Sequence, residues 1–262
     1  MLEISLPDLM LVYGLILFSL FLMRLHRVGG EVGLLKASVR MVVQLLAAGY
    51  LLHLLFDLRQ PLLIVLVLVV MLFFAVLTVG GRVEQRLPHF YRVVGSAMLI
   101  GCGSGTFYLI YVVLGLSPWY EPRYLIPLTG MILGNAMTGA ALAAERLAGE
   151  MVIRQAEIET LLCFGASPRQ ASRNAIRAAF RAALIPAINA MAAMGVVFLP
   201  GMMTGQILSG TAPILAVKYQ IAIMCVITGS VALTTSLILL RGYRGYFTNA
   251  EQLRVDLLRK TA

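Results

Sequence analysis

Few side chains in this sequence have the type and spacing to do chemistry, and the most ordered set lies between Glu145 and Arg181. Glu150 and Arg154 stand four apart, the spacing of an ion pair on one helix face. Leu147, Met151, Ile158, Leu161 and Leu162 recur at helical intervals across the same stretch, which predicts a helix up to Phe164. Gly165 suits a left-handed C-terminal cap, and Ser167-Pro168 an N-cap and first turn for a second helix. Arg169, Arg173, Arg177 and Arg181 then form a basic stripe. Such a stripe either snorkels to anionic headgroups or docks an acidic cytoplasmic partner.

A second set consists of polar and soft side chains in otherwise apolar runs: Asn135, Thr138, Asn189, Pro200, Met202, Met203, Thr204 and Gln206. These are the candidate residues of a substrate path, since polar groups in a membrane must find partners and commonly line an interior route. Hydrogen bonding between helices is the competing role for the polar ones, and pliable packing beside a kink for the Met pair. No catalytic residue is assigned: H-E-x-x-H is absent, and Ser96, Ser104, Ser230 and Ser236 have no base nearby. Without a Gly-Lys dipeptide there is no phosphate-binding loop, so ATP must be bound by another chain. Cys102, Cys163 and Cys225 are too scattered for a disulfide framework or a zinc site.

The elements that position these residues follow from composition. Hydrophobic side chains make up 60% of the 262 residues and charged ones 13%, with a mean hydropathy of +0.90. A soluble domain averages about 45–50% apolar and about 25% charged, so a soluble globule is excluded, and disorder with it. The apolar runs are continuous rather than alternating, which excludes a β-barrel. They cover 9–23, 37–56, 61–81, 93–120, 124–144, 182–217 and 219–240. The expected fold is an all-α polytopic membrane protein of about seven transmembrane helices, one domain over 1–262 with a cytoplasmic segment at 145–181. As one helix, 182–217 would be about 54 Å long, so it must break. Pro200-Gly201, Gly205 and Gly210 are the expected place, as a re-entrant segment or a kink followed by a loop. G-x-x-x-G repeats at Gly101/Gly105, Gly130/Gly134 and Gly201/Gly205 predict a tight bundle or a dimer face.

The net charge of +9 is explained by orientation. Glu3 and Asp8 precede the first span and Arg24, Arg27 and Lys36 follow it, the reverse of a cleavable signal peptide. With the N-terminus outside and seven spans, only Arg59, Arg123 and Lys218 fall on the outer face, leaving 18 of the 21 basic residues inside. That bias obeys the positive-inside rule and puts the C-terminus in the cytoplasm.

Glu159 stands six residues before Gly165, a spacing that resembles the cytoplasmic coupling motif of ABC-transporter permeases; Pro186 lies further downstream than the usual pattern has its proline. Residues 157–168, 184–189, 199–210 and 216–221, with Leu133-Gly-Asn-Ala-Met137, are similar to the FetB/YbbM family of permeases. The resemblance implies a permease subunit, itself no enzyme, paired with a separate cytoplasmic ATPase that carries the ATP and Mg. Coupling would fall to Glu157, Glu159, Gly165, Ser167, Arg169 and Arg173. It further implies a homodimer in the lipid of a bacterial inner membrane, with no cofactor in this chain and no nucleic acid. Bacterial members are implicated in iron export and resistance to oxidative stress, and the plant relatives are half-transporters of aluminium tolerance. A tight iron(II) site would want imidazole and carboxylate, which the spans lack, so the metal ligands stay unassigned. An organic cargo such as a nucleotide sugar remains an alternative. So does an ATP-independent secondary transporter or channel, against which the lack of intramembrane carboxylates argues.

Overall fold

A computed structural model describes residues 5–27, 29–58, 60–83, 89–255 and 257. Glu3, Arg59, Arg86, Arg259 and Lys260, used above for orientation, lie outside the described residues. The order is α1 (Leu6–Leu25), α2 (Glu31–Leu58), α3 (Pro61–Arg82), α4 (Phe90–Phe107), a π-helical turn (Tyr108–Val113), α5 (Pro122–Ile153), α6 (Gln155–Cys163), α7 (Pro168–Ala171), α8 (Arg173–Ala193), α9 (Gly201–Leu208), α10 (Pro213–Gly242) and a 3₁₀ turn (Tyr243–Tyr246). Among the described residues seven helices are long and apolar enough to cross a membrane, as the run lengths predict. The described residues contain no strand, only isolated bridges at Met194–Phe198 and Phe247–Leu253.

The chain divides into two compact units at Gln60/Pro61. In the first, Ser5 at the start of α1 donates its N–H at 2.9 Å and its hydroxyl at 2.6 Å to the Asp8 carboxylate, and Tyr13 on α1 shares a 2.8 Å hydroxyl contact with Ser38 on α2. In the second, α10 runs along α4 and α5, α8 lies against α5, and α3 packs on α4 and α5.

Glycine sets the closest of these approaches. A Cβ at Gly101 would collide with the Thr234 hydroxyl and stand 2.9 Å from the Thr234 backbone N, and one at Gly105 would collide with the Ser230 hydroxyl. The first G-x-x-x-G repeat is therefore the α4–α10 seam. A Cβ at Gly139 would lie 2.7 Å from Val231 Cγ1 and 3.5 Å from the Ala183 carbonyl oxygen, so α5 meets α10 and α8 at one glycine. At Gly134, Gly201 and Gly205 a Cβ would meet nothing within 4 Å, so those positions do not seal the bundle.

The break in 182–217 comes earlier than the proline predicts. α8 passes through Pro186 and ends at Ala193, with Met194 extended. Gly195 then takes φ +84, a conformation only glycine adopts freely. Its N–H donates to the Phe198 carbonyl at 2.9 Å, closing the turn. Pro200 does not break a helix but caps one, as the N-cap of α9, and Gly210 at φ +96 turns the chain again before α10.

Candidate functional site

The segment read as coupling element is continuous with a membrane helix. α5 has 32 residues, about 48 Å at about 1.5 Å each, against a hydrocarbon core of about 30 Å. Its charged end therefore projects beyond the bilayer, and the single helix predicted up to Phe164 is instead the end of α5 and a separate α6. The join is Arg154, whose N–H donates to the Glu150 carbonyl. Leu147, Met151 and Ile158 are fully buried beneath this corner.

Charge pairs hold the corner. Glu150, buried on α5, accepts from Arg146 at 2.7 Å and from Arg154 at 2.7 Å. Arg154 also donates to Glu157 at 2.9 Å, and the Asn174 amide of α8 donates to the other Glu157 oxygen at 2.8 Å. Glu157 thus ties α6 to α8, and the Asn174 amide, followed by the Arg154 guanidinium, holds its carboxyl below the ordinary carboxylate value. Glu159, half-buried, accepts from Gln155 on its own helix at 2.9 Å.

Gly165 and Ser167 do what their types predict. Gly165, at φ +83, donates to the Leu162 carbonyl, and Ala166 donates to that of Leu161; this is the paired-bond Schellman end of a helix. Ser167 caps α7 reciprocally with Gln170. α7 lasts one turn before Ser172 separates it from α8, so the basic stripe is split. Arg169 stands on α7 and Arg173, Arg177 and Arg181 on α8, all exposed. No ion pair joins any of the four to a described residue. Phe164, 86% exposed at the tip of the turn, is the residue that sequence reasoning missed. The available signal was an aromatic just before the capping glycine, off the apolar stripe.

The candidate path residues do not converge. Asn135 donates to the Met131 carbonyl at 2.8 Å and Thr138 to that of Gly134 at 3.2 Å, both within α5. Thr204 donates to the Pro200 carbonyl at 3.1 Å. Asn189 is exposed on α8, while Met202 and Gln206 are half-buried on α9. Gln206 Oε1 is buried without a partner. Of the Met pair, Met203 lines a cavity of about 360 Å³ between α8, α9 and α10, which it shares with Met191, Met194, Met224, Cys225 and Gln220. A separate cavity of about 370 Å³ lies between α3, α4 and α5, mostly apolar with Cys102, Thr106 and Thr129 in its wall. Among the described residues no group of three or more His, Cys, Asp or Glu could hold a metal ion.

The chain matches the model of the Uncharacterised protein family (UPF0014) over residues 6–247. It is 38% identical to the UPF0014 membrane protein slr1647 of Synechocystis over 97% of this chain and 98% of that one. It is 31% identical to the Probable iron export permease protein FetB of Escherichia coli over 98% of both. With the UPF0014 membrane protein STAR2 of Oryza sativa it shares 32% identity over 87% of this chain and 79% of that one. No solved structure matches it. With seven apolar helices and a family match along nearly its whole length, the chain is an integral multi-pass membrane protein and belongs to the UPF0014 family.

Proposed function

We propose that this chain is the permease subunit of an ABC transporter that exports a metal ion across the bacterial inner membrane. A separate cytoplasmic ATPase supplies the ATP and Mg, two copies of the permease form the membrane unit, and the N-terminus faces outward. The carrying observation is the turn from α5 to α8, where a membrane helix prolonged beyond the bilayer ends in capped short helices. That turn presents exposed Phe164 and the exposed arginines Arg169, Arg173, Arg177 and Arg181. A protruding aromatic followed along the chain by exposed arginines fits an acidic partner surface. The glycine-capped turn and the Glu150–Arg154–Glu157–Asn174 chain of bonds make it stiff enough to transmit a push. The Escherichia coli relative's name makes iron the first cargo to test. A phosphorylated organic cargo is less well served, since neither of the two cavities described above has a Lys or Arg in its lining.

The test is reconstitution of the permease with its ATPase in lipid vesicles. The permease should stimulate vanadate-sensitive ATP hydrolysis, and Glu159→Lys or Gly165→Pro should abolish the stimulation while the protein stays folded. Cargo movement with no ATPase present refutes the proposal. Unchanged cellular iron in a deletion strain under iron loading, measured by mass spectrometry, refutes iron as the cargo.

A further inference from the structure

We propose that the cavity between α8, α9 and α10 is a binding site for a soft monovalent cation, Cu(I) or its mimic Ag(I). The proposal deepens the metal-export reading and rests on it only for the ion being cargo; the binding itself does not.

Four methionines, Met191, Met194, Met203 and Met224, and Cys225 line one cavity. Gln220 lines the same cavity, is 4% exposed, and its Oε1 has no hydrogen-bond partner. Plain methionine packing would fill the space with flexible side chains and leave no buried amide oxygen unpaired. Here about 360 Å³ remains open, and the orphaned oxygen joins sulfurs that offer lone pairs. Such a set suits a positive ion.

Sulfur donors select soft ions, Cu(I) above all, whereas iron(II), manganese(II) and magnesium favour imidazole, carboxylate or water. The cavity holds no His, Asp or Glu. The cost of stripping water from an ion rises with the square of its charge, so a neutral ligand set in this mostly apolar cavity accommodates a monovalent ion far more readily than a divalent one. Cys225 is exposed, marking the open side of the cavity, and Met203 comes from α9, the short helix between the turns at Gly195 and Gly210. Thr228 Oγ1, 3.7 Å from Met191 Sδ, adds a hydroxyl beside one of the thioethers.

The experiment is anaerobic Cu(I) titration of the purified permease in nanodiscs, without ATPase, against a chromophoric Cu(I) chelator, with X-ray absorption at the copper edge. Expected are one Cu(I) per chain, sulfur scatterers around it, and no displacement by excess iron(II) or manganese(II). Met203→Leu and Met224→Leu are nearly isosteric and should each weaken binding by about tenfold or more, as loss of metal-site partners does, while Met41→Leu changes nothing. No Cu(I) bound by folded wild-type protein, affinity unaltered in the Met203→Leu/Met224→Leu double variant, or displacement by iron(II) each overturns the site. A permease that stimulates its ATPase yet binds no Cu(I) overturns this site alone. One that binds Cu(I) with sulfur around it but never stimulates an ATPase upholds the site and overturns the ABC reading.

Discussion

Replacing Gly101 with alanine tests the bundle at its tightest seam. The added methyl would stand 2.9 Å from the Thr234 backbone N and 3.0 Å from its Cα, atoms that no rotamer change can move. Ordinary carbon contacts begin near 3.5 Å, so α4 and α10 must separate by roughly half an ångström. Overpacking of this kind costs about 1–3 kcal/mol, and the collision with backbone places Gly101→Ala toward the upper end. The helix propensity gained over glycine returns about 0.8–1 kcal/mol, leaving a net loss near 1–2 kcal/mol. Gly103 lies on the same helix two residues on, and a Cβ there meets nothing within 4 Å. Gly103→Ala should therefore keep only the gain, about 1 kcal/mol. The two variants should differ by roughly 2–3 kcal/mol, or about 4–12 °C at about 2–4 °C per kcal/mol. Trp119 is the sole tryptophan of the chain, so its fluorescence on heating in detergent reads the transition directly. A midpoint for Gly101→Ala equal to or above that of Gly103→Ala refutes the packing argument.

Gly165→Ala forces a Cβ into φ +83, which costs about 1–2 kcal/mol; ATPase stimulation should fall while the membrane core, followed by Trp119, melts unchanged. Ser167→Ala removes a reciprocal cap worth about 1 kcal/mol, and should weaken coupling less than the glycine change. Because Glu157 is held below its ordinary 4.5, its bonds contribute fully above that value and are lost as the pH falls through the lowered one. Stability should thus be insensitive to Glu157 between about pH 5 and 8 and drop in acid; in Glu157→Gln the acid drop should be shallower by thermal melts across pH. Exposed Cys163 should react with a membrane-impermeant maleimide in inverted vesicles and not in intact cells, while buried Cys102 stays unlabelled in both; labelling of Cys163 in intact cells reverses the proposed orientation.

What could be read in the sequence was whatever a short window determines. Seven spans follow from seven apolar runs, and the turn at Gly165 follows from a glycine before Ser-Pro; both recur in the structure. The break after α8 was misplaced because proline looks like the stronger breaker, whereas a proline that opens a helix only gives up an N–H that would have been unpaired. Gly195 turns the chain five residues earlier, ahead of Val196 and Val197, where a left-handed residue had to be glycine. Of three identical glycine repeats, one seals a seam, because what faces Gly101 and Gly105 is set by where α10 lies and not by the repeat. The methionine cavity was hidden for the same reason. Met202 and Met203 looked like a pair, yet only Met203 lines it, with partners from α8, from α10 and from the turn at Met194.

The two regions of functional interest are joined by α8. Its Asn174 end is tied to Glu157 at the corner between α5 and α6, and its Met191 end lines the methionine-rich cavity. The 17 residue steps from Asn174 to Met191 span about 25 Å of helix. Along that length Ala175, Ala179, Ala183 and Ala187 are buried at intervals of four, and the Ala183 carbonyl comes 3.5 Å from where a Cβ on Gly139 would stand. A face of methyl groups against another backbone has no long side chains to unlock, so α8 can slide or tilt on α5 as a unit without repacking rotamers. In the proposed mechanism a displacement of the corner between α5 and α6 reaches the cavity as movement of one end of α8. The turn at Gly195 and the short helix α9 are where the chain can absorb it, beside the cavity and away from the seam at Gly101.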